Sequence, residues 1–119
     1  MTPPVRVLVV DDDPRVRAGL AGALGATAGV ALVAVTGTPA RALAVAAAGR
    51  ADVALVDALL PTLADGMALV RGLARHLPVV AISLDGSRRR DALAAGAVAY
   101  VEKDGALDDL VATLLQAAG

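Results

Sequence analysis

The chain contains no cysteine, no phenylalanine and no tryptophan, and Tyr100 is its single aromatic residue. The absence of cysteine excludes disulfides and thiolate metal sites, and it fits a reducing cytoplasm as the expected location. Without large aromatics, a core has to be assembled from Ala, Val and Leu, which dominate a hydrophobic fraction of 57%. An excess of either charge is also missing. The 11 basic side chains are balanced by 12 acidic ones, which argues against bulk electrostatic attraction to nucleic acid or to anionic lipid. No apolar run reaches the length of a membrane span, and charges interrupt the opening MTPPVRVLVVDDD too early for a signal peptide. The expectation is a cytoplasmic chain whose 119 residues form one domain, 1–119.

Short apolar runs alternate with helical patterns. Val5 to Val10, Val30 to Thr36, Val53 to Val56, Val79 to Ser83 and Ala99 to Val101 read as strands. Asp13-Pro14 and Thr38-Pro39 read as cap-plus-proline helix starts, and Gly49 and Gly96 as stops. Asp65-Gly66 is expected to precede a third helix, Ser87 to cap a short fourth one over Arg88 to Ala95, and Leu107, Leu110, Val111 and Leu114 to form the stripe of a last one. Strands apolar on both faces, alternating with helices, predict an α/β fold. It is a doubly wound, flavodoxin-like (βα)5 arrangement, with a five-stranded parallel sheet and helices on both faces.

In such a sheet all strands point their carboxyl ends at one edge, where ligands bind. Asp11, Asp12 and Asp13 follow the first strand, Asp57 the third, Ser83 ends the fourth, and Glu102-Lys103 the fifth. Like charges crowd unfavourably unless something neutralises them. Asp11, Asp12 and Asp57 supply the hard oxygen ligands that suit Mg²⁺. A lysine charge and a hydroxyl beside them complete what phosphoryl transfer requires, with Asp57 as the nucleophile. Other polar residues have plainer readings: Asp13 as a helix cap, Arg88-Arg89-Arg90 as a solvated helix face, His76 as a surface residue and Tyr100 as core.

The segments VLVVDDDPRVR, LVDALLP, VVAIS and AYVEKD, in that order, resemble the response-regulator receiver domain of two-component signalling over essentially the whole chain. The resemblance implies Asp57 as phosphoacceptor, and Asp11, Asp12, Asp57 and the backbone carbonyl of Leu59 as Mg²⁺ ligands. It also implies Lys103 as the phosphate-binding lysine, and Ser83 and Tyr100 as a hydroxyl–aromatic switch acting on the face of the fourth helix, fifth strand and last helix. A sensor histidine kinase or a small phosphodonor would supply the phosphoryl group. The domain would be a signalling module rather than an enzyme, at most catalysing its own phosphorylation and hydrolysis. The DDDP start and the Lys103-Asp104 pair resemble receivers attached to helix-turn-helix output domains, so a DNA-binding output domain outside these residues and homodimerisation both belong to the expected partners.

The sequence also departs from the family. PTLADG carries an additional residue, which predicts a bulged loop after Asp57, and the Ser83–Lys103 segment is shorter than usual. Leu84 is bulky for its place and is expected to crowd access to the phosphoryl group, and Leu59 and Asp85 occupy positions that tune hydrolysis in the family. Two other readings stay open at this point. One is an interaction module that keeps the fold without using phosphate. The other is a haloacid-dehalogenase-like phosphatase built on Asp11, with Asp13, Ser83, Lys103 and Asp108-Asp109.

Overall fold

The computed structural model describes residues 2–84 and 86–119. Strands β1 (Val5–Val10), β2 (Val30–Thr36), β3 (Val53–Asp57), β4 (Val79–Ser83) and β5 (Ala99–Glu102) form one sheet in the order β2-β1-β3-β4-β5. All four pairings are parallel. The helices α1 (Pro14–Gly25), α2 (Pro39–Ala47), α3 (Leu63–Ala74), α4 (Arg89–Ala95) and α5 (Leu107–Ala118) connect and flank them. The expected doubly wound, flavodoxin-like (βα)5 architecture is the one observed.

Strand pleating divides the aliphatic core in two. Leu8, Val10, Ala54, Val56, Val79 and Ala81 pack against α2, α3 and α4 on one face of the sheet. Val7, Val9, Val53, Leu55, Val80 and Ile82 pack on the other, against Leu24 of α1 and Leu110 and Leu114 of α5. Every residue of β3 and β4 is buried, as the uninterrupted apolar runs require of central strands. Tyr100 lies in the first of these cores, buried beside the α4 residues Ala92 and Ala95.

Local chemistry explains most helix ends and corrects several expectations. The Asp13 carboxylate accepts the Arg15 N–H at 2.9 Å and so caps α1 as anticipated. Thr38 stands at the start of α2 but its hydroxyl does not cap it; it lies 3.3 Å from the Thr36 hydroxyl, which accepts the Thr38 N–H at 3.1 Å. The third helix begins earlier than Asp65-Gly66 suggested. Thr62 is its cap, accepting the Asp65 N–H at 3.2 Å and donating its hydroxyl to the Asp65 carboxylate at 2.8 Å. Within PTLADG, which follows a cis Leu60–Pro61 bond, Leu63, Ala64, Asp65 and Gly66 thus lie in the capped first turn of α3. Ser87 lies in a 3-10 turn, Gly86–Arg88, and Arg88 rather than Ser87 occupies the cap position of α4.

Two kinds of glycine position follow from this packing. At Gly66 an added Cβ would overlap the main-chain carbonyl of Ala58, directly after Asp57, so α3 can approach the end of β3 only without a side chain there. Gly19 and Gly22 lie inside α1 with nothing near an added Cβ. Gly66→Ala should destabilise the fold by about 2–3 kcal/mol through forced backbone movement. Gly19→Ala should stabilise it by about 0.5–1 kcal/mol through lost unfolded-state entropy. Chemical denaturation of the two variants beside wild type checks both signs.

Candidate functional site

Register alone assembles the polar groups at the carboxyl edge. Val10 of β1 pairs with Val56 of β3, so Asp11 leaves the sheet beside Asp57, the last residue of β3. Asp57 pairs with Ile82 and Ser83 with Glu102, which sets Ser83 and Lys103 at the ends of the next two strands. The Lys103 N–H donates to the Ser83 carbonyl at 2.7 Å and carries this alignment one residue past the sheet. The strand order reverses between β1 and β3, so the cluster occupies the switch point where doubly wound sheets bind ligands.

The Lys103 Nζ lies 3.1 Å from Asp11 Oδ2 and 3.4 Å from Asp57 Oδ2. Asp11, Asp12 and Asp57 each offer a carboxylate oxygen, all within 4.8 Å of one another. Asp11 and Asp57 are buried and Asp12 is exposed, so the cluster opens to solvent on the Asp12 side. Asp57 Oδ1 accepts the Leu59 N–H at 3.1 Å, which orients the carboxylate from the loop that follows it. Asp11 Oδ1 accepts the Asp13 N–H at 2.9 Å, whereas Asp11 Oδ2 is buried and, among the described residues, has no hydrogen-bond partner beyond its ion pair with Lys103.

Three carboxylates facing one ammonium leave two negative charges uncompensated when all are ionised. The orphaned Asp11 oxygen, the all-oxygen donor set and that charge deficit together fit a hard divalent cation such as Mg²⁺. The proton equilibria carry the same strain. Burial, aided by neighbouring Asp11, pushes the Asp57 carboxyl above its ordinary range, against the Leu59 N–H and Lys103. Burial also works to lower the Lys103 ammonium, but Asp11 and Asp57 outweigh it and the net direction is up.

A carboxyl whose folded-state pKa is raised favours folding at low pH and loses that contribution as pH rises through the folded value. At neutral pH without divalent cations, ionised Asp57 therefore costs stability. Asp57→Asn should raise the Tm at pH 7 in EDTA by a few degrees, the shift that about 1 kcal/mol produces in a domain of this size. The gain should shrink as the pH is lowered and Asp57 takes up its proton, which melting curves over a pH series check.

The remaining candidates have distinct places. Ser83 is buried, ending β4 next to Asp57 in the register. Tyr100 is turned inward, and the Arg89 guanidinium lies 5.5 Å from its ring centroid. Leu84, directly after Ser83, is 73% exposed, so its side chain stands in solvent at the end of β4. Asp85 lies outside the described residues. Of the residues a haloacid-dehalogenase-like site would use, Asp13 is taken up as the α1 cap, while Asp108 and Asp109 are exposed in the first turn of α5 and do not join the Asp11-Asp12-Asp57 cluster. Residue-type reasoning overlooked Arg17, whose guanidinium donates to the Asp11 carbonyl at 2.7 Å. Its place on the first turn after Asp11–Asp13 was the available signal. It also passed over the fact that Lys103 is the chain's sole lysine.

Residues 7–115 match the model of the response regulator receiver domain. Over 84% of its length the chain is 37% identical to the DNA-binding transcriptional activator DevR/DosR of Mycobacterium tuberculosis, and it spans 48% of that relative. The signal receiver domain of the response regulator NarL from the same organism superposes with a TM-score of 0.86 at 30% identity, covering 98% of each chain. The BeF3-activated N-terminal receiver domain of Klebsiella pneumoniae RstA gives a TM-score of 0.80 at 30% identity over 95% of this chain and 97% of that one. Among the described residues, no helix is long and apolar enough to cross a membrane. With its fold, its acidic edge and these relatives in agreement, the chain belongs to the response regulator receiver domain family of two-component systems.

Proposed function

We propose that residues 1–119 act as one receiver domain that accepts a phosphoryl group on Asp57. The observation carrying this reading is the shared Lys103 ammonium, 3.1 Å from Asp11 and 3.4 Å from Asp57, beneath a three-carboxylate cluster that stays short of positive charge. Asp11, Asp12, Asp57 and the Leu59 carbonyl would hold Mg²⁺, which supplies neutralisation for phosphoryl oxygens brought next to carboxylates.

An Asp57 carboxylate oxygen attacks the donor phosphorus. As the new O–P bond forms, the P–N bond of a kinase phosphohistidine, or the P–O bond of a small phosphodonor, breaks and its electron pair leaves with the donor. Lys103 is already paired with Asp57 and can follow the charge onto the phosphoryl oxygens. Ser83, at the neighbouring strand end, donates its hydroxyl to the same group. That contact exists only in the phosphorylated state, so it can bias the packing of Tyr100 beneath α4 and change the α4-β5-α5 surface.

A sensor histidine kinase is the protein partner this reading implies, with a small phosphodonor as the other source of the phosphoryl group. A DNA-binding output is supported by the relative described as a DNA-binding transcriptional activator, of which this chain spans about half. The receiver itself, with balanced charge, would not touch nucleic acid directly, and a homodimer is a natural form for such a regulator.

Incubation with Mg²⁺ and acetyl phosphate, followed by intact-mass measurement, should show one phosphoryl adduct on wild type and none on Asp57→Asn. Omitting Mg²⁺ or introducing Lys103→Ala should reduce the adduct at least about tenfold, the scale of losing one transition-state charge contact. An unmodified wild type would favour a phosphate-independent interaction module. An adduct persisting in Asp57→Asn would move the acceptor to another carboxylate.

A further inference from the structure

The main chain and side chain of Asp11 are held at every polar atom except one. Its N–H donates to the Thr36 carbonyl at 3.1 Å, its own carbonyl accepts from Arg17 Nη1 at 2.7 Å, and its Oδ1 accepts the Asp13 N–H at 2.9 Å. Among the described residues only Oδ2 finds no hydrogen bond, and that oxygen faces Lys103 and the cluster with Asp12 and Asp57. Of the groups that fix Asp11, the Arg17 guanidinium alone reaches in from a helix surface as a long, flexible side chain.

A second observation explains how Arg17 is kept there. A Cβ added to Gly37 would come within 2.5 Å of Arg17 Nη1, 3.3 Å of Arg17 Cζ and 3.3 Å of the Asp11 carbonyl. The guanidinium therefore occupies the space that any other residue at position 37 would fill. The turn containing Gly37 is itself fixed, because the Thr38 N–H donates to the Thr36 hydroxyl at 3.1 Å. Arg17 thus bonds Asp11 at the exit of β1 while lying over Gly37 at the exit of β2, in space left by the missing side chain.

We propose that Arg17 is a positioning residue for the cation site: seated over Gly37, it locks the Asp11 main chain so that Oδ2 is held toward the cation. The inference rests on the Mg²⁺ reading above. Its direction is opposite to what charge alone dictates. A guanidinium near a dication repels it, so its loss would tighten binding if only Coulomb interactions mattered. Loss of preorganisation weakens binding, and outer groups that orient metal ligands typically contribute about tenfold or more in affinity.

Isothermal titration with Mg²⁺ alone tests this on wild type, Arg17→Met, Arg17→Lys, Gly37→Ala and the Arg17→Met/Gly37→Ala double variant, with Tm in EDTA recorded for each. Arg17→Met should raise the Mg²⁺ Kd about tenfold. Arg17→Lys, which keeps a donor, should recover part of that loss. Gly37→Ala should weaken binding in the same direction, since the tip of Arg17 yields before the backbone does. The double variant should be no worse than the poorer single one, because both changes remove one interaction. An unchanged or tighter Kd in Arg17→Met, or additive losses in the double variant, overturns the assignment while leaving the Mg²⁺ site standing. A wild type that binds no Mg²⁺ overturns both. Should Arg17→Met fail to fold, an unchanged Kd in both Gly37→Ala and Arg17→Lys overturns it equally.

Discussion

One ammonium shared by two buried carboxylates is the constraint around which the carboxyl edge is arranged. Lys103 approaches Asp11 and Asp57 from the far side of β4, and it can do so because each intervening strand ends in step with its neighbour. Removing the Lys103 charge would leave two carboxylates facing each other in a poorly solvated cleft, a costly arrangement. Even with it, Asp11 Oδ2 remains unsatisfied by hydrogen bonds and Asp57 is held above its ordinary protonation range. The fold tolerates an electrostatic deficit at its acidic edge, the feature on which the proposed cation and phosphoryl chemistry rests.

The aliphatic sandwich supplies the rigidity that keeps the deficit from relaxing. Central strands β3 and β4 are buried from end to end, so Asp57 and Ser83 cannot slide without dragging Val, Leu, Ala and Ile side chains out of two cores. Gly66 lets α3 press against the Ala58 carbonyl and fixes the loop behind Asp57 from the other side. The lone aromatic is placed differently, at the edge strand β5 under the short helix α4, where the core is lined by small alanines. The ring lies among alanines, with the Arg89 guanidinium 5.5 Å from its centroid.

Much of this was readable from residue order. The five apolar runs gave the strands to within a residue, with Asp57 and Glu102 joining β3 and β5 as their last members. Asp13-Pro14 marked α1 correctly because its cap is purely local chemistry. The misreadings arose where nearby residues competed. The Thr38 hydroxyl is drawn to Thr36 instead of capping α2, Thr62 outcompetes Asp65-Gly66 as the start of α3, and a 3-10 turn displaces Ser87 from the cap of α4.

What the sequence determined by itself was therefore the periodic and the short-range: alternating strands and helices, a parallel sheet, and a set of acidic, hydroxyl and lysine residues placed at strand ends. Its resemblance to receiver domains named their roles. Only the tertiary structure decided which oxygen of Asp11 is held by an ion pair without a hydrogen bond, that one ammonium serves two aspartates, and that Arg17 sits over Gly37 against the Asp11 carbonyl. These depend on register between strands and on side chains from α1 and β5 meeting across many residues of sequence. Contacts of that kind leave no period or spacing in the linear order, because packing and charge select them only after the sheet has closed.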